Sequence, residues 1–261
     1  MGGLTVLRAL GKRLPNETFV YLGDTARLPY GTKSAETVQA YALQATRHLI
    51  AEGVKMVVIA CNTASAVALG PLAEALAPVP VIGVIEPGAR AAVAATRNRR
   101  IAVIATEGTV RGGAYARAIR KLMADAEIVQ QACQVFVALA EEGWTDSPAT
   151  QAAAEHYLGP MFRGASAPDT LVLGCTHFPV LADVIRKTIG EAVALVDSAE
   201  TTAQAVAEAL TRAGIESGAD AGGDKARFFA TDSPQRFARV GAIFFGRPID
   251  ASAVELVDLR A

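Results

Sequence analysis

Two stretches of the chain share one order of apolar and polar positions. They are Val57-Val58-Ile59-Ala60-Cys61-Asn62-Thr63 and Leu171-Val172-Leu173-Gly174-Cys175-Thr176-His177. Each passes from an apolar run through a small residue to a cysteine, two polar residues and then a helical pattern. Short runs rich in β-branched residues or leucine suit strands buried on both faces of a parallel sheet. Cys61 and Cys175 then stand where a strand ends and a helix begins. Open α/β sheets bind ligands at that end of their strands. Helix N-terminal N–H groups there favour an anion and lower a thiol pKa. Matching cysteines on two similar halves point to one site with a sulfur on each side.

The remaining pattern fits the same class. Leu4, Leu7, Leu10 and Leu14 recur at helical spacing. Phe19 to Leu22 reads as a strand, followed by a polar loop to Gly31. Ser34 caps a helix with the stripe Val38, Tyr41, Ala42, Ala45 and Leu49, ended by Gly53. Asn62 or Thr63 caps the helix after the first cysteine. Val79 to Ile85 reads as a strand broken by Glu86-Pro87-Gly88. Ile101 to Ala105 is another strand, and Thr106 to Thr109 leads into a helix carrying Tyr115, Ile119 and Leu122. Glu127 to Ala132 reads as a strand and Phe136 to Glu142 as a short helix. Ser147-Pro148 opens a further helix, with proline at its first position. Leu181, Val184, Ile185 and Ile189 mark a helix, and Ala194 to Ser198 a strand. Gly214 to Lys225 reads as a surface loop. Phe228 to Ala230 and Pro234 to Phe245 close the chain as strand and helix. Alternating strands and helices predict an α/β fold with mainly parallel sheets. The repeat predicts two pseudo-symmetric domains, 1–85 plus 197–261 and 86–196, with the site in the cleft between them.

Composition narrows the function. The chain has 261 residues, 25 Lys+Arg and 26 Asp+Glu. A net charge of −1 argues against nucleic acid or an anionic membrane as the main partner. No apolar run approaches the roughly 18 residues of a membrane span. The three cysteines, without a CxxC, read as reduced thiols of a cytoplasmic protein.

A thiolate serves as nucleophile, metal ligand, redox partner or base. Cys61 reads equally well as a small core residue. Cys175 is the stronger candidate because Thr176 and His177 follow it directly. Zinc held by Cys61, Cys175 and His177 lacks a recognised ligand spacing. Gly31-Thr32-Lys33-Ser34 resembles the tail of a phosphate loop, but Ala26 stands where the first glycine belongs. Cys133 lies in a strand-like stretch and reads as core. A pair of cysteines fits a reaction that needs two bases on opposite faces of one carbon. One thiolate removes a proton and the opposing thiol returns one, which inverts a stereocentre. An unperturbed thiol pKa of about 8.5 lets both forms occur near neutrality after modest tuning.

The motifs resemble those of the cofactor-independent glutamate racemases of the aspartate/glutamate racemase superfamily. The matching segments run in order along the whole chain. They are Gly2 to Leu7, Tyr21 to Arg27 with Pro29-Tyr30-Gly31, Ala60 to Ser65, Gly83 to Gly88, Ala105-Thr106 with Gly108-Thr109, and Gly174 to Pro179. The resemblance implies Cys61 and Cys175 as the two bases, with Glu141 and His177 assisting at the second. It implies substrate contacts from Pro29, Tyr30, Gly31, Asn62, Thr63, Thr106, Thr109, Thr176 and His177. It implies L- and D-glutamate as substrate, neither pyridoxal phosphate nor metal as cofactor, and a cytoplasmic homodimer that supplies D-glutamate for peptidoglycan and cell shape.

Two departures accompany the resemblance. Around Glu141 the chain reads Cys133-Gln134-Val135-Phe136-Val137-Ala138-Leu139, where the family usually carries prolines. At the start, the family has an apolar strand and then Asp-Ser-Gly-Val-Gly-Gly-Leu-Thr-Val-Leu. Here Met1 stands in the place of that valine. A GTG codon encodes valine internally and is also read as an initiating methionine. The expectation is therefore a misplaced start, with the first strand and its Asp-Ser pair missing from the chain as written. Competing readings are aspartate or hydantoin racemisation, or a truncated homologue that binds an amino acid without turning it over. A related decarboxylase would lack one of the two cysteines.

Overall fold

The computed structural model describes residues 1–218 and 226–259. The chain opens with α1 (Gly3–Arg13), β1 (Phe19–Gly23), α2 (Ala35–Ala51), β2 (Val57–Ile59), α3 (Asn62–Ala75), β3 (Val81–Gly83) and α4 (Ile85–Ala95). It continues through β4 (Arg100–Ala105), α5 (Glu107–Gly112), α6 (Ala114–Leu122), β5 (Glu127–Ala132), α7 (Gln134–Glu141) and α8 (Pro148–Leu158). The last elements are β6 (Thr170–Gly174), α9 (Ala182–Ile189), β7 (Ala194–Asp197), α10 (Ser198–Ala213), β8 (Ala226–Ala230), α11 (Pro234–Phe245) and β9 (Val254–Leu256). The predicted loop over 214–225 lies, from 219 on, outside the described residues.

Among the described residues every strand pair is parallel. The largest sheet has the order β5-β4-β6-β7. Its alternating side chains serve two separate cores, as the period of two in a strand requires. Ala102, Ile104, Leu171 and Leu173 face Phe136 of α7, Leu158 of α8 and Ile185 of α9. Ile101, Val103, Val172 and Val196 face Ala89 of α4, Ile119 of α6 and Val206 of α10. The chain leaves β4 for β5 on one side, crosses back to β6 on the other and continues to β7. The switch of direction therefore falls between β4 and β6, where parallel sheets open a crevice. Thr106 and Cys175 follow the ends of those two strands.

The other strands form two smaller groups, β1-β8-β9 and β2-β3. The pairing of β1 with β8 brings the end of the chain back beside its beginning. Among the described residues β1 and β2 do not pair with each other. A cavity of ≈ 360 Å³ lies between them, lined by Val20, Tyr21, Val57 and Val58.

Local chemistry explains most of the boundaries. Ser34 and Ser147 accept backbone N–H bonds from Thr37 and Thr150 and cap α2 and α8 as expected. Glu86-Pro87-Gly88 does not break the chain but forms the first turn of α4. Proline is tolerated there because the first-turn N–H groups have no intrahelical partner to lose. The helix after Thr106 is split into α5 and α6 by Gly113, which adopts φ +61. Leu122, at the end of α6, is exposed rather than buried.

Candidate active site

A cavity of ≈ 260 Å³ opens at the carboxyl ends of β1, β2, β4 and β6. Both cysteines line it. Cys61 is the N-cap of α3, in place of the Asn62 or Thr63 expected there. It lies two residues beyond β2 in extended backbone and is half-buried, and its carbonyl accepts the first helical bond, from the Ser65 N–H. Cys175 directly follows β6 and is buried. Burial pushes the Cys61 thiol up, while the Ala64 and Thr63 N–H groups at the start of α3 pull against it. Burial pushes Cys175 up as well, to about 12, opposed by the His177 N–H. Burial therefore favours the thiol form of both sulfurs.

A line of side chains supports Cys175. Nδ1 of His177 lies 3.8 Å from its Sγ, and Nε2 of His177 lies 3.2 Å from Oε1 of Glu141. The second carboxylate oxygen of Glu141 accepts a bond of 2.9 Å from Arg236 on α11. The hydrogen bond from His177 is the chief influence holding Glu141 down, at about 2. Burial lowers His177, so at neutral pH the imidazole is uncharged. A neutral ring that donates from Nε2 to a carboxylate keeps Nδ1 as an acceptor. Nδ1 then faces the Cys175 thiol as a lone pair. The ring is packed edge-on against Phe244 of α11, with centroids 4.9 Å apart. On its other side a Cβ at Gly2 would come within 2.4 Å of Nδ1. The imidazole therefore has little room to turn.

The polar wall comes from the starts of helices. Thr63 on α3 and Thr106, the N-cap of α5, lie 3.0 Å apart at their hydroxyls. Thr109 closes a three-membered ring with them, at 3.2 and 3.1 Å. Asn62 lines the cavity beside Cys61, and Thr176 lines it beside Cys175. Pro29, Tyr30 and Gly31 form the opposite rim. Tyr30 donates to Asp24, which also accepts from Arg27 at 2.9 Å and Thr231 at 3.0 Å. Gly31 sits against Thr106, whose Cβ would be 2.9 Å from a Cβ placed there. No lysine or arginine lines the cavity among the described residues. Anionic groups of a ligand would meet hydroxyls and helix N-terminal N–H groups along this wall, as is common at helix starts, and the Met1 amino end also lines the cavity.

The structure thus brings together at one cavity every residue expected at the site except Thr109. That residue is buried behind Thr63 and Thr106 and does not line the space. Glu141 reaches His177 although the stretch before it lacks prolines. The sequence reading passed over three residues: Asp24, Arg236 and the polar use of Tyr115. The first stands inside a quoted motif, and its polar run is the only signal for it. Arg236 meets Glu141 across 95 positions and leaves no local pattern.

A glutamate racemase from Geobacter metallireducens is 52% identical over 246 residues, which is 94% of this chain and 90% of the relative. The crystal structure of a glutamate racemase from Bacillus anthracis superposes with a TM-score of 0.92 at 38% identity, covering 99% of this chain and 94% of the other. That of a Francisella tularensis glutamate racemase in complex with D-glutamate gives 0.89 at 34% identity, again covering 99% and 94%. The sequence model of one family matches residues 4–206, well over half of the chain: the chain belongs to the Asp/Glu/Hydantoin racemase family.

Proposed function

We propose that this amino-acid racemase interconverts L- and D-glutamate with Cys61 and Cys175 as opposed acid and base. The observation that carries the reading is that both sulfurs line one small cavity at the carboxyl ends of β2 and β6. Its ≈ 260 Å³ is below the roughly 300–1,000 Å³ of drug-sized pockets and suits a single amino acid. Glutamate is favoured over aspartate or hydantoin because the relatives at 52% and 48% identity carry that name.

In the reacting form one of the two thiols has released its proton to solvent, and that thiolate takes the proton from Cα. The C–H bond breaks, an S–H bond forms, and the electron pair spreads from Cα into the carboxylate. The opposing thiol then gives its proton to the other face of Cα and is left as thiolate. The two sulfurs have exchanged roles, so the reverse reaction uses the same groups. Charge that develops on the carboxylate is met by preorganised backbone N–H groups and threonine hydroxyls at the starts of α3 and α5. Neutral His177 accepts from Cys175 through Nδ1 and donates its Nε2–H to the Glu141 carboxylate, which stays ionised, so that the pair orders the thiol and its proton. Asn62, Thr63, Thr106 and Thr176 hold the amino acid, with Tyr30 and Gly31 at the rim; Thr109 acts through Thr63 and Thr106.

The reading includes two lobes, 1–85 plus 197–261 and 86–196, that close on the substrate. The return of β8 to β1 supports that division. A cytoplasmic homodimer that supplies D-glutamate to peptidoglycan completes it, on the strength of the motif resemblance.

The test is the circular dichroism of L-glutamate incubated with the chain and no added cofactor. Decay to zero, lost in Cys61→Ser and in Cys175→Ser, is expected. A constant signal with glutamate and decay with aspartate would reassign the substrate. A constant signal with every amino acid, alongside a ligand-induced rise in melting temperature, would make the chain a binder instead.

A further inference from the structure

Tyr115 is fully buried on α6, yet it carries a hydroxyl. Its ring is wedged between two glycines. A Cβ at Gly88 of α4 would lie 3.2 Å from it, and one at Gly174, just before Cys175, would lie 3.0 Å from it. A phenylalanine would fill that slot equally well. A buried hydroxyl is costly unless it is bonded, and this one donates to Oδ1 of Asn62 at 2.7 Å. Burial pushes the phenol well above its ordinary range, so it remains a neutral donor. Tyr115 thus touches the residue before one cysteine and the residue after the other.

Asn62 is 3% exposed, lines the cavity, and its Nδ2 has no hydrogen-bond partner among the described residues. An unpaired buried donor is the expensive half of an amide. The amide has two orientations, related by a flip that exchanges oxygen and nitrogen. Only one of them gives the Tyr115 proton its acceptor. In that orientation the group left for a ligand is N–H, which recognises a carboxylate oxygen and rejects an ammonium.

We infer that Tyr115 is a positioning residue for substrate, holding the Asn62 amide so that Nδ2 donates to a carboxylate of the bound amino acid. The inference rests on the racemase reading of the cavity and adds to it a residue that does not itself line the space.

The test is a double-mutant cycle of Tyr115→Phe and Asn62→Ala, read as kcat and KM for L-glutamate. A hydrogen bond to carboxylate made equally in ground and transition states acts on KM. Tyr115→Phe is expected to raise KM about fivefold to tenfold with kcat within about twofold. In the Asn62→Ala background the same change should move KM by less than about twofold, because the amide it orients is gone. Equal factors in the two backgrounds, or an unchanged KM in Tyr115→Phe, would overturn the inference. A purely structural role would lower the melting temperature of Tyr115→Phe and leave KM alone. A wild type that binds glutamate without turnover would defeat the racemase reading separately, and the same cycle would then be read on Kd. A wild type that does neither overturns both.

Discussion

Glu141 meets His177 at Oε1 to Nε2, 3.2 Å, and this contact decides which nitrogen of the imidazole faces Cys175. A carboxylate at Nε2 fixes the proton there and leaves Nδ1 to accept from sulfur. Glu141→Gln keeps an acceptor oxygen of the same reach but loses the charge and offers a competing NH₂ group. Racemisation should fall about 10- to 100-fold in kcat, and Glu141→Leu should fall further. Initial rates followed by circular dichroism check this. Equal rates for wild type and Glu141→Leu would show that the His177 ring is held by Phe244 packing alone.

The same carboxylate makes an acid-stability prediction with a definite sign. Glu141 is held at about 2 in the folded chain, against an ordinary 4.5. A depressed folded pKa contributes stability that is complete above the unfolded value and is lost as pH falls through the folded one. The gap in urea midpoint between wild type and Glu141→Gln should stay constant from pH 5 to 8. It should close between about pH 4.5 and about pH 2. A gap that closes near pH 6.5 instead would assign the linkage to the His177 proton.

Thr109 tests the hydroxyl ring. It is 1% exposed and bonds Thr63 and Thr106, on α3 and at the start of α5. Thr109→Val keeps the shape and opens the ring. The expected loss is about 1–2 kcal/mol, a fall of roughly 2–8 °C in melting temperature for a chain of this size. An unchanged melting temperature would mean that water replaces the hydroxyl without cost.

The legibility of this fold follows from what each element needs. β4 and β6 are buried on both faces, so their short apolar runs stand out. α2 and α8 announce themselves by a serine cap. α10 left no such signal, because its cap, Asp197, is also the last residue of β7 and reads as the end of a strand. β9 has three residues, two of them exposed, and no alternation to detect. The cysteines and His177 were legible because each lies within three positions of a strand end, whereas the hydroxyls were legible only through the motif resemblance. Tyr115 was legible only as an apolar position on a helical stripe. Its hydroxyl partner lies 53 positions away, and no local pattern encodes so distant a contact.

Cys133 supplies a prediction at the alkaline end. Its thiol is fully buried, donates to the Gln131 carbonyl at 3.7 Å, and is pushed by burial from 9.0 up to about 12. An acid whose folded pKa is raised remains protonated while the unfolded chain loses its proton. Between about pH 9 and about pH 12 the unfolded state therefore binds fewer protons, and stability falls as pH rises. The slope from one such thiol approaches about 1.4 kcal/mol per pH unit. Cys133→Ala removes it and leaves a small cavity whose cost does not vary with pH. Cys175, also raised to about 12, is present in both proteins, so the difference between them reports chiefly on Cys133. Urea midpoints of wild type and Cys133→Ala should therefore run parallel from pH 6 to 8, with the wild type higher, and converge or cross between about pH 9 and pH 11. Curves that stay parallel through pH 11 would mean that the folded thiol ionises as freely as the unfolded one, and that water or a backbone N–H reaches Cys133 where packing leaves no room for either.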